Sequence, residues 1–325
     1  MRNLSIAVVV LLALGVAGQL SGIQPDRDAV AAANAELGAG FEGRRIDVGE
    51  VTLHVVFAGP EDGPPVVLLH GFPEFWYAWR GPAAVLARAG FRVIVPDQRG
   101  YNRSDKPAGA ANYGLRHLVG DIVGLVDALG YERVSVGCQD MGSAVGWRLL
   151  LEAPERIDRF AVVNAGHPMA WRDLRGVESE ISWYRTFLQI PWLPGYVARL
   201  NNWALLAGSL RDTSAPGAFP EAEMNQLRAA WDRGGAIHTM ADWYRAEPWP
   251  WEGSDADAHV TRPVLLLLSA RDAFIPPDAA RATGDWADDF TLAELGSGTH
   301  WVTAEEPERI GQLLLRFLAP GPDMR

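Results

Sequence analysis

From residue 44 onward, short apolar runs alternate with stretches in which apolar residues recur every three or four positions. Val51 to Phe57 alternates and stops at Gly59-Pro60, as a strand of an early hairpin does. Val66 to His70, Arg92 to Pro96 and Phe160 to Val163 are short runs of the kind buried on both faces of a parallel sheet. A fourth strand begins at Val134. Trp79 to Ala89, Leu115 to Leu129 and Met141 to Leu151 have helical spacing between these strands, and Gly90 and Gly130 close the first two helices. Strands alternating with helices predict an α/β protein with a mostly parallel, doubly wound sheet. Its first part covers residues 43–166.

The alternation then stops. Residues 167–253 have helical spacing, several prolines and eight of the chain's 13 tryptophans. The apolar run Val264 to Leu268 resumes the sheet, and a last helix is expected from Ala304 to Phe317, within a second core segment over 254–320. A helical insertion between two strands of a parallel sheet reads as a lid over the strand ends where such sheets bind ligands. Most of its tryptophans are expected to pack between helices, and a few to face an apolar cavity.

The N-terminus breaks this pattern differently. Arg2 precedes an uninterrupted apolar run from Ile6 to Gly18, and Gly15-Val16-Ala17 offers a small-x-small cleavage site. The run falls short of the roughly 20 residues a spanning helix needs. Residues 1–24 therefore read as a signal peptide or an uncleaved anchor, and 25–42 as a linker. Either reading places the protein outside the cytoplasm or on a membrane through its N-terminus alone; an ordinary amphipathic leader, with a cytoplasmic location, is the less favoured alternative.

Composition narrows the partners. A net charge of −11 argues against nucleic acid and anionic membrane surfaces. Cys138 is the only cysteine, so no intramolecular disulfide can form. No Cys/His cluster and no HExxH motif suggests a metal site.

The candidate chemistry centres on Asp140. In Val134-Ser135-Val136-Gly137-Cys138-Gln139-Asp140-Met141-Gly142-Ser143 a strand meets a helix through small residues, the layout of a nucleophile elbow. A carboxylate there can attack carbon and form an alkyl ester; the plainer alternative is an Asp that caps the helix. Asp272 lies just after the Val264–Leu268 strand, and His300 follows 28 residues later, before the last helix. Nucleophile, acid and histidine thus stand in the chain order of α/β-hydrolases, with Asp272 orienting a His300 that activates water. The backbone N–H groups of Phe72, in His70-Gly71-Phe72-Pro73, and of Met141 are the expected oxyanion donors. His70 is expected to be structural.

These stretches resemble the epoxide hydrolases of the α/β-hydrolase fold, over about Gly43 to Leu318. The resemblance rests on residues 70–80, Asp97-Gln98-Arg99-Gly100-Tyr101-Asn102-Arg103-Ser104-Asp105-Lys106-Pro107, the Asp140 elbow and the Asp272/His300 pair. It implies that Tyr184, ahead of Phe187-x-Gln189-x-Pro191 (Phe-x-Gln-x-Pro), and Tyr244, in Trp243-Tyr244-Arg245, are acids toward the epoxide oxygen. It also suggests substrate contacts from Phe72, Trp79, Met141, Phe187 and Trp301. Departures are Met141, where many relatives carry Trp, Cys138-Gln139 for Gly-His, and Asn102 for Gly. The implied substrate is a small apolar epoxide, with no cofactor and no metal required. Haloalkane dehalogenases share the aspartate elbow, but place halide-holding Asn and Trp where Phe72 and Met141 stand. A catalytically silent binding protein of the same fold is the remaining alternative.

Overall fold

The computed structural model describes residues 38–173, 183–246 and 253–319. The leader expected over 1–24 lies outside the described residues. Residues from Gly40 on form one compact unit. Among the described residues, no helix is long and apolar enough to cross a membrane.

Eight strands form one sheet: β1 (Phe41–Asp47), β2 (Thr52–Ala58), β3 (Pro65–Leu69), β4 (Arg92–Pro96), β5 (Val134–Gln139), β6 (Ile157–Val163), β7 (Val264–Ser269) and β8 (Phe290–Leu295). Their spatial order is β1-β2-β4-β3-β5-β6-β7-β8. β2 pairs antiparallel with both β1 and β4, and every pairing from β4 to β8 is parallel. β1 begins two residues inside the expected linker. Strands β4, β5 and β7 are buried along their whole length, and β7 accordingly reads as a continuous apolar run over Val264–Leu268. The edge strand β8 is mostly half-exposed and has no such run.

Helices α1 (Arg80–Arg88), α2 (Leu115–Ala128) and α3 (Met141–Glu152) connect the first strands, and Pro307 starts the final helix, Pro307–Leu318, after a short separate turn at Val302–Glu305. The expected single helix from Ala304 is therefore two. Proline lacks the N–H that a continuous helix would need there.

The order of strands reverses at β3, whose neighbours are β4 and β5, and ligands bind beyond the strand ends at such a switch point. Leu69 pairs with Cys138 there, so the loops leaving β3 and β5 are side by side. Between β6 and β7 the chain forms α4 (Pro168–Asp173), α5 (Trp183–Leu188), α6 (Leu193–Thr213), α7 (Glu221–Trp231) and α8 (Ala236–Arg245), the expected helical insertion.

Tryptophan indoles fasten this insertion to the core. Trp231 Nε1 donates to the Pro73 carbonyl at 2.6 Å, and Trp243 Nε1 donates to the Arg99 carbonyl at 3.0 Å. Both side chains are almost fully buried. Asn102 assists: it takes a left-handed backbone (φ 38), donates to Asp97 and accepts from Arg233 Nε at 2.7 Å. Asn tolerates that conformation better than most side chains, so the Gly-to-Asn departure keeps the turn and adds a lid contact.

Candidate active site

Asp140 sits at the tip of the turn between β5 and α3, with φ 49 and ψ −127. Such a conformation is costly for a residue with a Cβ and persists where the surroundings over-determine it. Two close approaches do so here. A Cβ on Gly71 would lie 2.3 Å from the Asp140 Cβ, and one on Gly142 would lie 2.5 Å from the His70 carbonyl oxygen. The Asp140 side chain does not cap α3. It accepts instead from the Phe72 N–H at 2.7 Å and from the Met141 N–H. Both expected oxyanion donors thus point at one carboxyl group.

His300 spans the two acids. Its Nε2 lies 3.2 Å from Asp140 Oδ2 and its Nδ1 lies 2.8 Å from Asp272 Oδ2. The other Asp272 oxygen accepts from the N–H groups of Phe274 at 2.7 Å and Ile275 at 3.0 Å, which fixes the carboxylate's orientation. Burial works against charge on both Asp140 and His300. On Asp140 it is outweighed by the His300 hydrogen bond and charge together with the two backbone donors, and the carboxyl stays below its ordinary range. On His300 burial is outweighed by Asp272 and Asp140, so the imidazole is held well above its usual value.

Tyr184 on α5 and Tyr244 on α8 face each other edge to face, ring centroids 5.9 Å apart, and Tyr244 packs the same way on Phe72 at 5.2 Å. Both tyrosines share a cavity with Asp140 and His300, whose other walls include Phe72, Phe187 and Trp301. Met141 lines a second cavity behind Asp140.

One expectation is corrected. Trp79 lines neither cavity; the 3-10 turn Trp76–Trp79 buries its ring completely in the core. Of the lid tryptophans, Trp203, Trp231 and Trp243 are buried in packing and Trp192 is exposed, and none of these four lines a cavity; the other four lie outside the described side chains. Their indole N–H groups are better satisfied by backbone or carboxylate acceptors than by an apolar ligand. His70, as expected, is structural, with Nδ1 3.0 Å from the Gly71 carbonyl and Nε2 accepting the Gln98 N–H at 3.1 Å.

Glu74 had no role in the sequence reading. It is buried, one carboxyl oxygen has no partner, and burial pushes its pKa up to about 8, with His300 and Arg80 opposing and Asp140 assisting. Its place within the His70–Arg80 stretch was the only available signal. Among the described residues, no cluster of His, Cys, Asp or Glu could hold a metal ion.

A strained carboxylate elbow with a His–Asp pair on an eight-stranded, mostly parallel sheet defines a class, and the match of residues 64–307 to the alpha/beta hydrolase fold family agrees. The chain belongs to the α/β-hydrolase fold family. Within it, the chain groups with the epoxide hydrolases. It is 30% identical to epoxide hydrolase 4 of Homo sapiens, over 84% of this chain and 77% of that one. The AB hydrolase superfamily protein YfhM of Bacillus subtilis is 34% identical over 84% of this chain and 96% of its own. A solved structure from work on epoxide hydrolases in metagenomes from hot environments superposes with a TM-score of 0.77 at 30% identity, covering 86% of this chain and 99% of that one. A haloalkane dehalogenase of Psychrobacter cryohalolentis also matches, 27% identical over 84% of this chain and 89% of its own.

Proposed function

We propose that the chain hydrolyses an apolar epoxide to a 1,2-diol through an alkyl ester on Asp140. The observation that carries this reading is the single cavity shared by Asp140, His300, Tyr184 and Tyr244. An Asp140 oxygen attacks a ring carbon, the carbon–oxygen bond of the ring breaks, and a tyrosine hydroxyl supplies the proton to the departing oxygen. Neutral phenols suit this step, because with a pKa near 10 they remain protonated until the alkoxide forms.

Esterification removes the charge on Asp140, one of the two carboxyl groups that raise the His300 pKa. The imidazole pKa then falls, the proton it carries passes by way of solvent to the phenolate left by ring opening, and Asp272 keeps Nε2 available to accept a proton from water. The hydroxide attacks the Asp140 carboxyl carbon, the Phe72 and Met141 N–H groups hold the oxyanion, and collapse releases the diol with the returned proton.

Against the dehalogenase reading stand Phe72 and Met141, which have no side-chain N–H to hold a halide. A silent binder has no need of an orienting acid, a base and paired phenols around one strained carboxylate. The apolar run Ile6 to Gly18 supports an exported or membrane-anchored location, which fractionation of the native host checks. The mechanism is tested by one turnover in ¹⁸O-water. An Asp140 ester puts unlabelled enzyme oxygen into the first diol; a fully labelled first diol means direct attack by water and overturns the assignment.

A further inference from the structure

Among the described residues, the exposed large apolar side chains all fall in one stretch of the lid: Ile190, Trp192, Tyr196, Leu200 and Leu205, from 39% exposed at Leu205 to 68% at Trp192. Trp192, Tyr196 and Leu200 recur every four residues, and the Trp192 carbonyl accepts from the Tyr196 N–H at 3.1 Å. They form one stripe on the outer face of the first half of α6. Pro194 and Ala198, half a turn away, line the cavity that holds Asp140. The helix then bends through left-handed backbone at Asn201, Asn202 and Trp203. Just past the bend, Leu205 is both exposed and a wall of that cavity. The stripe and the active-site cavity are thus two sides of one helix.

The same stretch differs from the rest of the chain in charge. From Trp183 to Arg211 there is no Asp or Glu, although the chain carries 40 acidic residues and a net charge of −11. Its charged side chains are Arg185, Arg199 and Arg211. Arg211 pairs with Glu221 at 2.7 Å. Arg199, exposed and next to Leu200, has its guanidinium 5.7 Å from the Trp203 ring centroid.

At about 200 Å² for a large side chain, the five exposures leave on the order of 500 Å² of surface. Apolar patches of that size usually have a use. A stable protein interface takes about 800 Å² from each partner, so a second copy of this chain is poorly matched to the stripe. A bilayer needs no complementary shape. Trp and Tyr favour the headgroup level of a membrane, and Arg can reach a phosphate while its stem stays in apolar surroundings.

We propose that this face of the lid docks on the surface of a zwitterionic phospholipid bilayer. Trp192, Tyr196 and Leu200 enter the upper acyl region, and the first half of α6 lies in the plane of the interface. The charge of the whole chain disfavours an anionic bilayer. An apolar epoxide dissolved in the bilayer then reaches the cavity past Leu205. This delivery step rests on the hydrolysis proposed above; the docking does not.

The test uses the full-length protein and phosphatidylcholine vesicles whose acyl chains carry bromine, which quenches tryptophan on contact. Residues 1–40 contain no tryptophan, so the leader adds nothing to this signal. The vesicles should quench the parent, and most of that quenching should vanish in Trp192→Phe, which keeps an aromatic ring on the stripe. A second variant, Trp192→Glu with Tyr196→Glu, puts carboxylates on the stripe without touching either cavity. Its kcat/KM on a long-chain epoxide dissolved in the vesicles should fall about tenfold, the value of one buried ring. On a short-chain epoxide dissolved in water it should match the parent. Equal quenching of the parent and Trp192→Phe, or none in either, overturns the docking. So does a lipid-free dimer that the double variant dissociates in sedimentation, because a second copy then covers the stripe. An unchanged rate on the vesicle-borne epoxide overturns delivery from the bilayer. A parent that docks as expected but opens neither epoxide overturns the hydrolysis reading and the delivery step, and leaves the docking standing.

Discussion

Gln139 holds His300 from the opposite side of the active-site turn. Its Nε2 donates to the His300 carbonyl at 3.1 Å, and its Oε1 accepts from Thr303 Oγ1 at 2.7 Å. The side chain is fully buried, one residue before Asp140. Asn164, at the end of β6, also donates to the Thr299 carbonyl at 3.1 Å. The histidine loop is thus anchored to the ends of two neighbouring strands. Gln139, which in the sequence stood out only as a departure from the family's pattern, positions His300.

Gln139→Leu fills similar space but leaves Thr303 and the His300 carbonyl short of a partner. Unmade buried hydrogen bonds cost about 1–3 kcal/mol, so denaturant unfolding should show a loss of that size. In stopped-flow single turnovers, ester hydrolysis should slow more than ester formation, because only hydrolysis needs the imidazole in register. Equal slowing of both steps would reduce Gln139 to a packing residue.

Replacing the base separates the half-reactions further. His300→Gln should still alkylate and then stall, since only the water step needs a proton acceptor. Intact mass after epoxide addition should show a stoichiometric adduct, and peptide mapping should place it on residues 138–143. A folded variant that forms no adduct would remove the division of labour between Asp140 and His300.

The phenols should act on ring opening alone. Losing one donor to a developing oxyanion typically costs 10²–10³ in rate. Tyr184→Phe and Tyr244→Phe should each slow adduct formation by about that factor, and the double variant should be almost inactive while its melting curve stays near that of the parent. If both single variants alkylated at the parental rate, another proton source would have to serve the ring oxygen.

What the sequence displayed and what it hid have physical causes. The central strands were visible because burial on both faces forces an unbroken apolar run, as in Val264–Leu268. Phe290–Leu295 was not, since an edge strand half-exposed along its length tolerates Thr291 and Glu294. Asp140, Asp272 and His300 were legible because each follows a strand, or a glycine-rich turn, in a fixed chain order. Trp79 was misassigned because aromatic residues serve cores and cavities alike, and only three-dimensional packing separates the two uses. Glu74 escaped notice for a related reason: a lone acid in a loop does not reveal its burial.

Glu74 supplies the last prediction, through pH. In the fold its carboxyl loses a proton only near pH 8, chiefly because burial disfavours the charge; in the unfolded chain it loses it near its ordinary value of 4.5. The folded state therefore binds the extra proton between those two values, and stability must decline as pH rises through that interval. Below pH 4.5 both states are protonated and Glu74 costs nothing. Above pH 8 the fold must hold a buried carboxylate whose Oε2 has no partner. Glu74→Gln removes that charge at nearly constant shape. Its stability relative to the parent should be near zero at pH 4.5 and should grow toward about 5 kcal/mol at most above pH 8, at 1.36 kcal/mol per pKa unit. Urea unfolding of both proteins at pH 5, 7 and 9 measures the difference directly, and the pH dependence of every group not coupled to Glu74 cancels in it. A gap that stays flat across the three pH values would mean that Glu74 is already ionised and paired in the folded protein.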